Sequence, residues 1–296
     1  MKKLFLCSAF FVVCLSVFAY YDRFSILILN PAPNEAPYLI NTGGITAFNP
    51  FAIREVRYAI NNLLSRQYLR ENITGLDTIF PLYLPIGYSE AFFGEGTVLD
   101  DIGFTVEGDE ERAISEITQA LTEAASLPQL VGRLVKQGDG YWYFDGEKVN
   151  IKNHIRNDFE YRYQTGTYIS AQLEKSGFAV TDNYCDSSTV VRSTDPALLE
   201  WSAYTEWWCS PMPFVTYEAR LNIIMQMYAP CFGNMPGFNI EGYWQYRNEL
   251  IDKKVNDYLH KRYFSEAEMR SLYLYIIKIG INEAVRIPLF AFISSN

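Results

Sequence analysis

A helix-forming stretch from about Phe159 to Ser176 runs into Gly177 and at once into Phe178-Ala179-Val180. Ahead of it stand two strand-forming runs, Tyr141-Trp142-Tyr143-Phe144 and Val149-Asn150-Ile151-Lys152, around the turn Asp145-Gly146. This order constrains the fold more than any other feature of the chain. A glycine just past a helix supplies the left-handed residue that ends it, and Asp-Gly between two strand-forming runs is a hairpin signal. Strand, helix and strand in succession form a crossover, which places parallel pairing in a sheet and a helix on its face. The expectation is an α/β fold, with a mixed sheet and flanking helices.

The remaining pattern fits that frame. Phe24 to Leu29 (FSILIL) reads as a buried strand, with a second short strand at Tyr38 to Asn41. Asn49 and Pro50 open a helix whose apolar stripe, Ile53, Val56, Ile60, Leu63 and Leu64, continues until Asn72 and Gly75. Leu76 to Gly96 has no period and reads as an irregular loop of the sort that often binds. Asp109 caps a helix to about Ala125, and Leu199 to Thr205 reads as a strand leading into a turn at Trp208 to Pro213. Helices are predicted from about Thr216 to Tyr228 and Tyr243 to Tyr263, then from the capping box Ser265/Glu268 through about Leu274 to Ile281. A strand-like Val285 to Phe292 closes the pattern.

Composition removes several function classes. The net charge is -9 and no basic run interrupts it, so a surface that tracks phosphates, and with it a nucleic-acid partner, is not expected. Only His154 and His260 are available to a histidine-dependent site, and no cysteine spacing suits zinc. No catalytic residue, metal or cofactor is expected. Aromatic residues make up 16% of the chain, a surplus that suits a partly apolar binding surface as well as a core. Met1, Lys2 and Lys3, the apolar run Leu4 to Phe18 and Val17-Phe18-Ala19 have the order of a secretory signal peptide over residues 1–19. The apolar run falls short of the roughly 20 residues that span a bilayer. Export to the periplasm or cell exterior follows, with cleavage after Ala19 or, failing that, membrane association. With no linker rich in Ser, Pro or charge, residues 20–296 read as a single domain.

Particular motifs resemble a known family. In NPFAIREVRYAINNLLSRQYLRENI, from Asn49 to Ile73, residues Arg57, Ala59, Ile60, Ser65 and Arg66 match a helix of solute-binding proteins of the peptide and nickel ABC importers, extracellular solute-binding protein family 5. Gly140 to Arg156, Ala171 to Val180, the run EWSAYTEWWCSPM from Glu200 to Met212, and Met227 to Asp252 keep that family's order. Two glycines of the family's Trp-x-x-Tyr-Thr-Glu-Gly-Trp-Gly motif are here Trp207 and Cys209. The resemblance implies a periplasmic-binding-protein-like lobe: the second lobe of a two-lobed clamshell, with the first lobe absent. It also implies the partners of such a protein, namely an oligopeptide or similar small solute, an ABC permease, and a separate chain supplying the first lobe.

Physical argument places the site at the carboxyl end of the strand around Trp201 to Thr205, because open α/β sheets bind ligands there. The predicted ligand-binding set is Trp201, Tyr204, Glu206, Trp207 and Trp208. A carboxylate beside indole faces suits a peptide amino terminus or another cationic group. In the competing reading Trp201 and Trp208 are core residues and Glu206 is a solvated loop residue. The function expected is solute binding for peptide transport; the alternative is a secreted, non-binding remnant or interaction protein of the same fold.

Overall fold

The computed structural model describes residues 21–74, 79–80, 105–211, 217–231, 234–237, 242–260 and 265–292. The signal-peptide stretch 1–19 and most of the irregular stretch Leu76 to Gly96 lie outside the described residues. Strand β1 (Tyr21–Leu29) is followed by the hairpin β2 (Leu39–Thr42) and β3 (Ile45–Phe48), helix α1 (Arg54–Leu63) and the short strand β4 (Ile79–Phe80). Helix α2 (Glu110–Ala125) leads to a meander of β5 (Leu134–Lys136), β6 (Trp142–Phe144) and β7 (Glu147–Lys148). The crossover is β8 (Asn150–Arg156), α3 (Glu160–Lys175) and β9 (Ala179–Cys185). Next come β10 (Ala203–Pro211), α4 (Tyr217–Tyr228), α5 (Glu249–His260), α6 (Glu266–Glu283) and β11 (Arg286–Phe292).

The main sheet has the order β4-β11-β1-β10-β8-β9. β8 pairs in parallel with both β9 and β10, while β1 lies antiparallel between β10 and β11. The sheet is therefore mixed, as expected. Both faces are covered. Ile26 and Ile28 point into one cluster with Leu221, Ile224 and Ile277 of α4 and α6, whereas Leu27 and Leu29 point into another with Val56, Ile117 and Leu173 of α1, α2 and α3. Strict alternation along a strand produces this division, and helices on both sides explain why FSILIL carries no polar face. No helix among the described residues is long and apolar enough to cross a membrane.

Two glycines show how tightly the crossover is packed. Gly166 of α3 sits where an added Cβ would come within 2.5 Å of Ile155 Cγ2 on β8, so its missing side chain sets the helix-to-sheet distance. Gly177 adopts φ +88°, the left-handed geometry anticipated for the helix end, and an added Cβ there would meet the Gly140 carbonyl oxygen at 2.6 Å.

The first helix departs from its periodicity. Asn49 accepts from Phe51 N–H at 3.1 Å and opens a 3-10 turn, Pro50–Ala52, before α1 begins. The helix then stops at Leu64 instead of running to Asn72, since Ser65 takes extended backbone and caps a new turn, Arg66–Tyr68, by accepting from Tyr68 N–H at 3.0 Å. Arg57 and Arg66 are fully buried and act as ties. Arg57 donates to the carbonyls of Phe51 and Glu283, and Arg66 to those of Asn61 and Pro288, joining α1 to the end of α6 and to β11.

Candidate functional site at the strand ends

Because β11 and β10 both run antiparallel to β1, they point the same way as β8 and β9, and four strands end on one edge. β10 continues past the end of β8, pairing with β1 as far as Pro211. This overhang corrects the expected strand limits: the Trp208 to Pro213 stretch read as a turn is strand up to Pro211, since β1 supplies its ladder, and 212–216 lie outside the described residues.

Trp207 stands on the overhang. Ser25 lies opposite both Trp207 and Phe290, and so small a residue lets the indole and the phenyl ring meet edge-on at 6.0 Å. Phe292 stacks on the same indole at 5.1 Å, and Tyr161, at the start of α3, meets it edge-on at 5.6 Å. Arg162 lies over the faces of Trp207 and Phe159 at 4.8 and 5.0 Å, held by Asp158 at 2.6 Å, which also pairs with Arg156 at 2.7 Å. The result is a half-buried aromatic platform interleaved with one guanidinium, and Phe159 forms its 54% exposed rim. The Trp207 indole N–H and Arg162 Nε, both buried, have no hydrogen-bond partner among the described residues. Sequence reasoning reached Trp207 but not Phe159, Tyr161, Arg162 or Phe292. The usable signal was the β8-to-α3 corner, where a crossover returns its helix start to the strand ends.

The other face of β10 carries Glu206, which is 2% exposed. Its Oε1 accepts from Arg286 Nε at 2.9 Å and from the Trp208 indole N–H at 2.6 Å, while Oε2 is buried, lies 3.9 Å from Arg192 Nε and has no hydrogen-bond partner among the described residues. Arg286 also donates to the Met227 and Asn234 carbonyls, so one guanidinium joins β11, β10 and the segment after α4. The charge of Glu206 is thus neutralised inside the fold by Arg286, with Arg192 beside its second oxygen, and a ligand amine would compete with both guanidiniums. Tyr204, beneath Glu206 on the same face, is buried, and burial pushes its hydroxyl well above the ordinary tyrosine range. Trp201 is buried against Tyr204, their rings edge-on at 5.1 Å, and its indole N–H donates to the Thr194 carbonyl at 3.4 Å. The structure therefore brings Trp201, Tyr204, Glu206 and Trp208 together on one face of the sheet and sets Trp207 on the other.

Among the described residues no group of three or more His, Cys, Asp or Glu is placed to hold a metal ion. His154 hydrogen-bonds the Glu200 carbonyl at 3.3 Å, and burial holds its pKa below the usual value. Cys231 lies beside Asp252, and burial, reinforced by that carboxylate, pushes its thiol up to about 12, so it is no thiolate nucleophile at neutral pH.

No family model and no curated protein matches the chain. Solved structures do. The oligopeptide-binding protein AppA of Bacillus subtilis, in complex with a nonapeptide, is similar at 15% identity and a TM-score of 0.61, over 92% of this chain and 46% of that one. A periplasmic oligopeptide-binding protein of Thermotoga maritima with bound mannohexaose is similar at 13% identity and a TM-score of 0.62, over 93% of this chain and 45% of that one. A third structure, a peptide-binding protein of a peptide ABC transporter, matches at 15% identity and a TM-score of 0.61, over 92% of this chain and 99% of that chain. This chain spans less than half the length of the first two. At such identities the likeness establishes architecture: the chain has a periplasmic-binding-protein-like fold, a mixed sheet with flanking helices.

Proposed function

We propose that this chain is an extracytoplasmic solute-binding component, or part of one, of an ABC importer for peptides or similar small solutes, and that it binds without catalysing. In this reading residues 1–19 direct export, 20–296 form the ligand-facing second lobe, and a permease receives the solute. One observation carries the proposal. In a fold shared with oligopeptide-binding proteins, four strands end on one edge, and that edge bears the Trp207 platform. The platform offers the ligand the exposed Phe159 ring, with Trp207 and Arg162 behind it; Glu206 and Trp208, locked to Arg286, hold the strand end, and Trp201 and Tyr204 support it from below.

An open platform does not bury the 70 to 90% of a ligand that tight pockets enclose, so the chain alone is expected to bind weakly, at micromolar dissociation constants or above. Calorimetry with a peptide panel tests this. Trp207→Ala should weaken binding about thirtyfold, as loss of an aromatic anchor does; a panel that binds the variant as well as the wild type would refute the platform. The internal neutralisation of Glu206 favours the second reading, a non-binding remnant or interaction protein. A ligand-induced rise in melting temperature separates the two, because a ligand of the folded state stabilises it.

A further inference from the structure

A cleft of about 810 Å³ lies away from the strand-end platform, between residues 62–73, the start of α2 and the outer side of α3. Its volume is that of a ligand site. We propose that this cleft binds a neutral oligosaccharide.

The aromatic residues are preset. Tyr168 accepts from the Ser65 N–H at 2.8 Å, and Tyr68 stacks on its ring at 4.8 Å and 20°, yet Tyr68 remains 45% exposed. One face of Tyr68 is thus supported and the other is free. Tyr163, also exposed, lines the same cleft five residues before Tyr168, about 7.5 Å along the helix axis at 1.5 Å per residue. Two tyrosine faces separated along a groove, Tyr163 backed by Tyr184 at 5.9 Å, accept the C–H faces of successive sugar rings. Such contacts cost little side-chain entropy.

The polar groups are of the matching kind. Asn62, 6% exposed, lines the cleft with a carboxamide that has no hydrogen-bond partner among the described residues. A carboxamide presents a donor and an acceptor in one plane, the pair that two adjacent hydroxyls require. Charge argues against anionic ligands. Lys175, the one cation among the described lining residues, is bound to Glu110 at 2.7 Å. Gln172, with its carboxamide turned to suit, bridges the two, donating to Glu110 at 2.9 Å and accepting from Lys175 at 3.3 Å. A phosphate or carboxylate would find no uncommitted cation there.

The test is calorimetry of the full chain with maltohexaose, cellohexaose and mannohexaose, with hexaglycine and spermidine as the peptide and cationic comparisons. At least one hexasaccharide should bind the wild type, and Tyr68→Ala should weaken it at least about tenfold. Tyr68 is largely exposed, so its variant is expected to melt with the wild type; Tyr163→Ala gives the same reading from the other end of the cleft. Failure of all three hexasaccharides to bind at millimolar concentration overturns the proposal. So does saccharide binding that survives both tyrosine changes, or is lost instead in Trp207→Ala, which places the sugar on the strand-end platform. Binding of hexaglycine or spermidine alone overturns it as well, by assigning the cleft to another ligand class.

Discussion

A carboxylate and a guanidinium buried side by side hold the centre of the molecule, and each depends on the other. Removing one partner of such a pair leaves an uncompensated charge in the interior, typically at a cost of about 3 to 5 kcal/mol. Glu206→Gln should therefore lower stability by about that amount in urea unfolding, and adding Arg286→Met should recover part of the loss; a neutral single variant would show the pair to be dispensable. Glu206 was visible in the sequence as a carboxylate among tryptophans. Arg286 was not, because 80 residues separate the partners and no local pattern links them. His154 allows a second test. Burial depresses its folded-state pKa, so as pH falls through the unfolded value near 6.5 the unfolded chain takes up the proton first and stability declines, levelling once the folded form is protonated too. His154→Gln should flatten that part of the stability profile between pH 8 and 5, and an unchanged slope would assign the decline to other groups.

Elements were legible where a local chemical signal marks them. Ser265 and Glu268 form the anticipated capping box in both directions, with Ser265 accepting from Glu268 N–H and Glu268 accepting from Ser265 N–H. Ser265→Ala should cost about 1 kcal/mol by thermal melting. Gly177 ends α3 as its position required. Tertiary pairing overrode local pattern elsewhere. β10 starts at Ala203 and reaches Pro211 because β1 lies beside it, and α5 starts at Glu249, later than the helix start expected near Tyr243. Gly166 could not be read at all, since nothing in a helix-forming sequence announces that Ile155 of the next layer fills the space. Gly166→Ala should destabilise by about 1 to 3 kcal/mol through overpacking, and Ile155→Ala in the same chain should relieve the clash while losing its own packing, so the two effects should not add. Simple additivity in a double-mutant cycle would mean that the helix moves away freely.

The sheet as a whole is assembled from strands far apart in sequence. Ile26 pairs with Glu206 and Leu27 with Ile287, residues about 180 and 260 positions apart, and β1 occupies the middle of the sheet between them. Amide exchange should follow this layout, with Ile26 to Ile28 among the slowest sites and the hairpin β2–β3, where Ile45 is 72% exposed, among the fastest; fast exchange in β1 would contradict the pairing. The same layout sets the order of events during synthesis. At about 5 to 20 residues per second, the first strand leaves the ribosome many seconds before either neighbour exists, and contacts this distant in sequence form slowly even then. The nascent chain therefore carries an apolar strand without a partner until β10 is made, and for that interval it is an extended substrate for any chaperone or translocation machinery that engages unfolded polypeptide.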